Sequence, residues 1–176
     1  YGVPRKQQTE RLETQSDDRF VDCVRSDLDA YRRTDTWPAS DVDLKLSLAN
    51  DNTAITTSNL AAGLNSIGDL VIVADPGLGK TSALFQIADA CVREGGALPL
   101  FVSLPDWALQ QDPLLTYLLK RSAFQNISLN QLREAIQSTS SVLLLDGWNE
   151  LDALGRRRAR RQLATLQSEL PELGLI

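Results

Sequence analysis

Residues 74–82 read Ala-Asp-Pro-Gly-Leu-Gly-Lys-Thr-Ser. These residue types at this spacing suit the binding of phosphate. A phosphate is held best by backbone N–H groups that converge on it, and glycine lets the chain wrap that closely. Gly77 and Gly79 supply the wrap. Lys80 supplies a cation for terminal phosphates, and Thr81, with Ser82 behind it, supplies a hydroxyl suited to Mg²⁺. Asp75, Pro76, Gly77, Leu78, Gly79, Lys80, Thr81 and Ser82 are therefore the candidate nucleotide contacts. The strict pattern asks for glycine where this chain has Ala74. Alanine adds only a methyl group at the end of the preceding apolar run, and binding is expected to survive it. The rival reading is a glycine turn that binds nothing.

A second segment carries complementary chemistry. Ser141-Val142-Leu143-Leu144-Leu145 runs into Asp146, followed by Gly147-Trp148-Asn149-Glu150. In a parallel sheet, ligands sit at the carboxyl ends of the strands. Asp146 is thus expected near Thr81, and the two form a candidate Mg²⁺ pair. Glu150 is the candidate for orienting or deprotonating an attacking water, so Asp146 and Glu150 are the candidate catalytic residues. The alternative for Asp146 is an N-cap on the helix that begins near residue 150.

Composition narrows the chemistry further. The 176 residues are 43% hydrophobic, carry a net charge of −5, and include two cysteines and no histidine. A packed core is expected, and a histidine-based nucleophile or a structural zinc site is not. The acidic balance argues against nucleic acid or an anionic membrane as partner. No apolar run is long enough to span a bilayer, and sparse cysteines fit a reducing, cytoplasmic setting. The chain opens on Tyr1, contains no methionine and ends on Gly174-Leu175-Ile176. We read it as a fragment of a longer protein.

These residues need elements to position them. Residues 1–10 read as a polar tail. Leu12, Phe20, Val21, Val24, Leu28 and Tyr31 predict an amphipathic helix over 11–33, broken at Trp37-Pro38. Strict alternation over 41–48 predicts a half-buried strand, with a turn at Asn50-Asp51-Asn52. Ser58 is the expected cap of a helix over 59–66, and Gly68-Asp69 the end of that connection. Leu70-Val71-Ile72-Val73 is continuously apolar and predicts a strand buried on both faces. Helices follow over 80–93, stopped by Gly95-Gly96, and over 114–121, 128–138 with Ser128 as cap, and 151–170. Apolar runs at 98–104, 141–145 and 173–176 predict further strands. Alternating strands and helices predict an α/β fold with a mainly parallel sheet covered on both faces.

Val-Ile-Val-Ala-Asp-Pro-Gly-Leu-Gly-Lys-Thr-Ser together with Leu-Leu-Leu-Asp-Gly-Trp-Asn-Glu-Leu resembles the NACHT branch of the STAND P-loop NTPases. In that branch a small residue follows the metal-binding aspartate, and acidic residues come two or three places later. Ordinary AAA+ ATPases place glutamate where this chain has Gly147. Leu98–Leu104 also resembles the family's second strand, and the likeness covers residues 52–176. It implies a three-layer α/β/α P-loop core, truncated after its fourth core strand, with residues 1–51 as tail, helix and linker strand. Carried over, Gly77, Gly79, Lys80 and Thr81 bind the phosphates of ATP or ADP, Asp146 the Mg²⁺, and Glu150 the water. The departures are Ala74, and Asn149 where the family often has aspartate. Asn149 bears on hydrolysis more than on binding. Family members act as slow ATPase switches whose nucleotide state controls self-oligomerisation and a fused effector, in innate immunity and anti-phage defence. The alternatives are an AAA+-like remodeller, which Gly147 opposes, and a non-catalytic nucleotide-binding scaffold.

Other features have plainer readings. The arginines of residues 156–161 read as the solvated face of a helix whose apolar positions are Leu151, Leu154, Leu163, Leu166 and Leu170, with contact to nucleic acid or a neighbouring subunit's nucleotide as the alternative. Trp148 reads as core packing, with a lid beside the site as the alternative, and Cys23 and Cys91 as ordinary buried side chains. The 11–33 helix either joins an effector or docks on the sheet.

Overall fold

The computed structural model describes residues 5–33, 45–47, 54–67, 69–75, 77–94 and 96–176. Helix α1 (Arg5–Arg32) comes first, then strands β1 (Lys45–Ser47) and β2 (Ala54–Thr56), which pair antiparallel with Leu46 opposite Ile55. Helices α2 (Thr57–Ile67) and α3 (Lys80–Glu94) precede strand β3 (Leu98–Ser103). Helices α4 (Leu104–Leu109), α5 (Leu114–Leu119) and α6 (Leu129–Ser138) follow, then strand β4 (Ser141–Asp146), helix α7 (Ala153–Glu169) and strand β5 (Leu173–Leu175). Strands β3, β4 and β5 form a parallel sheet in that order. The fold is α/β, as the alternating pattern predicts.

The sheet departs from expectation at residues 70–73. They form no ladder strand, and Val71 and Val73 are 85% and 87% exposed. The segment lies beside β5, where Leu70 N–H donates to Leu175 O at 2.8 Å. Leu70 and Ile72 pack against the core, so one side of the segment is covered and the other is bare. The parallel ladder therefore has three strands among the described residues, not four.

Around the sheet, helix α3 packs on β3 and β4, and α2 packs on α3. Phe85 of α3 stacks on Phe101 of β3 with ring centroids 4.6 Å apart. Helix α1 joins this core: Phe20, Val24 and Leu28 recur every fourth residue and are all buried. Burying three such side chains contributes about 1.5–3 kcal/mol each. Tyr31 closes the contact, edge-on to Phe101 at 4.9 Å. Asp27, buried in α1, accepts from Arg121 across 2.7 Å, and the guanidinium lies over the rings of Tyr31 and Tyr117. Docking on the sheet is thus what the structure shows for this helix.

Several boundaries shift. Helix α1 starts at Arg5, inside the stretch read as a tail, and β2 was not expected. Helix α2 starts at Thr57, where the Thr56 hydroxyl accepts from Asn59 N–H at 3.2 Å, so Thr56 rather than Ser58 occupies the capping position. Helix α4 was missed, although Ser103 as cap and Pro105 in the first turn are its local signals. Helix α6 has the expected cap, completed into a capping box by Gln131. Of the alternating strand over 41–48, only Lys45–Ser47 is described. The expected break at Trp37-Pro38, the turn at Asn50-Asp51-Asn52, Gly68 and Gly95 lie outside the described residues. Among the described residues no helix is long and apolar enough to cross a membrane.

Candidate functional site

The glycine loop forms from local backbone geometry. Leu78 N–H donates to Asp75 O at 3.3 Å and makes a tight turn. Gly77 and Gly79 have φ of 82° and 81°, in the left-handed region that other residues enter at a cost. A Cβ at Gly77 would meet nothing within 4 Å, so the demand for glycine there is conformational. Helix α3 begins at once, with its first bond from Ala83 N–H to Gly79 O at 2.8 Å. By helix geometry the amides of Lys80, Thr81 and Ser82 have no intrahelical acceptor, and the positive end of the dipole lies here.

Lys80 lies back over the loop. Its Nζ donates to Ala74 O at 2.6 Å and to Asp75 O at 3.0 Å. The position that departs from the strict phosphate-loop pattern thus contributes a carbonyl that holds the lysine. The Asp75 and Leu78 side chains are exposed, Leu78 by 64%, and Ser82 is half-buried. Pro76 lies outside the described residues.

Asp146 ends β4 beside its register partner Ser103 of β3. Thr81 Oγ1 donates to Asp146 Oδ2 across 2.9 Å. The capping alternative for Asp146 falls away, because the cap of α7 is Asp152, whose Oδ1 accepts from Gly155 N–H at 2.6 Å. Gly147 then turns the chain with φ of 81°. A Cβ there would come within 2.5 Å of Pro105 Cδ and 2.8 Å of its Cγ. Glycine is required at 147 both by its backbone conformation and by the approach of α4.

A single helical turn, Trp148–Glu150, follows, with Glu150 N–H bonded to Gly147 O at 3.0 Å. Glu150 and Asn149 are exposed. The Glu150 carboxylate makes no hydrogen bond or ion pair among the described residues, and the fold leaves it one short turn from Asp146. Trp148 is half-buried against the core under the Arg160 guanidinium.

Sequence reasoning missed two supporting groups. Arg158 reaches the loop between α4 and α5. It donates to the carbonyls of Ala108 at 3.4 Å, Gln110 at 2.6 Å and Asp112 at 2.7 Å, and lies 4.3 Å over the Trp107 ring. Trp107 is fully buried and donates its own Nε1–H to Asp112 O. The arginine run is a solvated face at Arg156, Arg157, Arg160 and Arg161, all exposed, and Arg158 is the exception, half-buried and holding a loop. Of the exposed four, Arg156 bonds Leu151 O and Arg160 lies over the Trp148 ring. Leu154, expected on the apolar side, is 71% exposed. The second missed group is Asp69, whose carboxylate accepts from Leu175 N–H at 3.0 Å and from the Gln167 side chain.

The donor set suits a hard cation only in part. Among the described residues no three His, Cys, Asp or Glu side chains group to hold a metal. Thr81 and Asp146 offer two hard oxygens. That is too few for an all-protein cage and in keeping with Mg²⁺, which retains water and shares phosphate oxygens. No protein-family model, curated protein or solved structure matches this chain.

Proposed function

We propose that this chain is the nucleotide-binding part of a switch protein of the NACHT type, a P-loop NTPase that binds ATP or ADP with Mg²⁺ and hydrolyses slowly. The observation that carries the reading is the 2.9 Å bond between Thr81 Oγ1 and Asp146 Oδ2, directly behind two left-handed glycines and a helix N-terminus. A phosphate chain laid on the helix N-terminus meets the amides of Lys80, Thr81 and Ser82, which have no intrahelical acceptor. The Lys80 ammonium, released from the Ala74 and Asp75 carbonyls, neutralises the outer phosphates. Thr81 and Asp146 would hold Mg²⁺, which supplies charge neutralisation at the phosphates when bound. Glu150 orients or deprotonates the attacking water.

The reading extends to the larger protein. Nucleotide exchange would control self-association and a fused effector, because a γ-phosphate can bias a two-state element. The experiment is titration of a fluorescent ATP analogue into the 176-residue chain with and without Mg²⁺. Binding that strengthens with Mg²⁺ and disappears in Lys80→Ala supports the reading. Identical behaviour of the Lys80→Ala variant and the parent overturns it. Unaltered binding in Glu150→Gln, with loss of slow turnover, separates the catalytic assignment from the scaffold alternative.

A further inference from the structure

We propose that Asp69 is the positioning residue of the glycine loop, holding it in register over Asp146 by supplying from its side chain the acceptor that a sheet ladder takes from a backbone carbonyl. The inference rests on the nucleotide-site reading for its meaning but not for its geometry.

The segment before the loop is weakly attached. Residues 70–73 form no ladder strand, and Val71 and Val73 are bare. Leu70 and Ile72 pack on the core, and the hydrogen bonds that tie the segment to the sheet are, among the described residues, gathered at its start. Leu70 N–H donates to Leu175 O at 2.8 Å, and Asp69 Oδ1 accepts from Leu175 N–H at 3.0 Å. Both polar backbone groups of Leu175 are thus satisfied by two adjacent residues 105 and 106 positions away. Asp69 Oδ2 also accepts from Gln167 of α7, so the carboxylate holds a strand and a helix at once.

These bonds close a mechanical circuit. The chain end beside β5 is bonded to β4 through Leu145 N–H to Ile176 O at 2.7 Å and Ile176 N–H to Leu143 O at 2.9 Å. Strand β4 ends in Asp146. From there the path runs through β5 to Asp69, along 70–75, round the loop to Thr81, and back to Asp146 across 2.9 Å. Remove Asp69 and, among the described residues, the backbone bond from Leu70 to Leu175 is what remains between the sheet and the loop's leading arm. The Thr81 hydroxyl and the Asp146 carboxylate are then held only by the packing of α3 on β3 and β4, without the loop's leading arm in place. A misplacement of about 1 Å at such a pair weakens function strongly.

The charge of Asp69 is not required by this role. An asparagine retains the oxygen for Leu175 N–H, and the Gln167 amide can turn to face its NH₂. The test compares Asp69→Ala, Asp69→Asn and Ile136→Val, the last a core variant of α6 that lowers stability far from the loop. Affinity for a fluorescent ATP analogue with Mg²⁺ and amide chemical shifts are recorded for each folded variant. Asp69→Ala is expected to weaken binding by about tenfold or more, with Asp69→Asn within about threefold of the parent and Ile136→Val unchanged. Asp69→Ala should also shift the amides of Gly77, Gly79 and Thr81, not only that of Leu175. The proposal is overturned if Asp69→Ala binds like the parent, if Asp69→Asn is as weak as Asp69→Ala, or if the shifts stay confined to residues around 175. If the parent itself binds no nucleotide, the functional reading fails on its own, and the shifts at Gly77, Gly79 and Thr81 still decide the positioning role.

Discussion

Thr81 and Asp146 stand 65 positions apart in the chain, yet the hydroxyl of one donates to the carboxylate of the other at 2.9 Å. The bond joins the first turn of α3 to the carboxyl end of β4, and on the proposed function it marks where Mg²⁺ and phosphate would meet. Removing either partner separates binding from folding. Thr81→Ala and Asp146→Ala are each expected to lose Mg²⁺-dependent nucleotide affinity by about tenfold or more while the chain remains folded. Because they act through one bond and one ion, the double variant should be little worse than either single one. Additive losses in a titration would sink the pairing.

Gly147 offers a harsher test. Its φ of 81° and the 2.5 Å approach to Pro105 leave no room for a methyl group. Gly147→Ala should cost about 2 kcal/mol or more, since left-handed strain alone costs about 1–2 kcal/mol in a residue with Cβ. Gly77→Ala has the same strain without the clash. It should destabilise less in urea unfolding yet still impair nucleotide binding.

Arg158 holds two carbonyls of the α4–α5 connection, those of Gln110 and Asp112, and one in the last turn of α4, that of Ala108, and covers Trp107. Arg158→Ala is expected to cost about 2–3 kcal/mol, because carbonyls lose a charged donor and an aromatic face loses its cation. Arg157→Ala, on an exposed neighbour, should change stability by less than about 0.5 kcal/mol. Equal effects of the two variants in denaturant titrations would make Arg158 one more solvated arginine of the run.

Asp27 and Arg121 decide whether α1 belongs to the folded unit. Arg121 is half-buried, and although desolvation works against its charge, Asp27 beside it holds the guanidinium pKa above the ordinary arginine value. Asp27→Ala strands that charge and should cost about 3 kcal/mol or more. A single unfolding transition at lower denaturant, seen by fluorescence and by circular dichroism, is the expected outcome. A separate early transition for α1 would mean that the helix docks without sharing the core's cooperativity.

Alkaline pH should weaken the fold in a defined window. Burial pushes the Cys91 thiol from 9.0 up to about 12 and the Tyr31 phenol from 10.0 up to about 12. Between pH 9 and about 12 the unfolded chain releases these protons while the folded chain keeps them, so stability declines as pH rises. The stabilisation is complete below pH 9. Urea midpoints measured at pH 8 and pH 10.5 should fall with pH, and the fall should flatten in Tyr31→Phe.

Much of the site was legible in the chain because its signals are local. Two glycines needing left-handed backbone, a lysine and threonine opening a helix, and an apolar run ending on aspartate each declare themselves within a few residues. Caps did the same for α6. The signals of Asp152 and Pro105 are as local, but Asp146 offers a competing cap six residues earlier and the apolar run over 98–104 continues past the end of β3 into α4. The continuous apolar stretch at 70–73 was misleading for a physical reason. Hydrophobicity states that a segment prefers cover, not whether neighbours exist on both its sides, and here one side is bare.

The residue types and spacing of the loop and of the Asp146 turn thus determined by themselves what chemistry is on offer, since backbone conformation and side-chain identity are properties of short stretches. The tertiary structure alone decided which of these groups meet. It joined Thr81 to Asp146, left Glu150 exposed one turn away, made Arg158 a clamp, and gave Asp69 the task of holding the loop to β5. Each of these depends on contacts between segments distant in the chain, whose geometry is set by how helices and strands pack and not by the residues beside them.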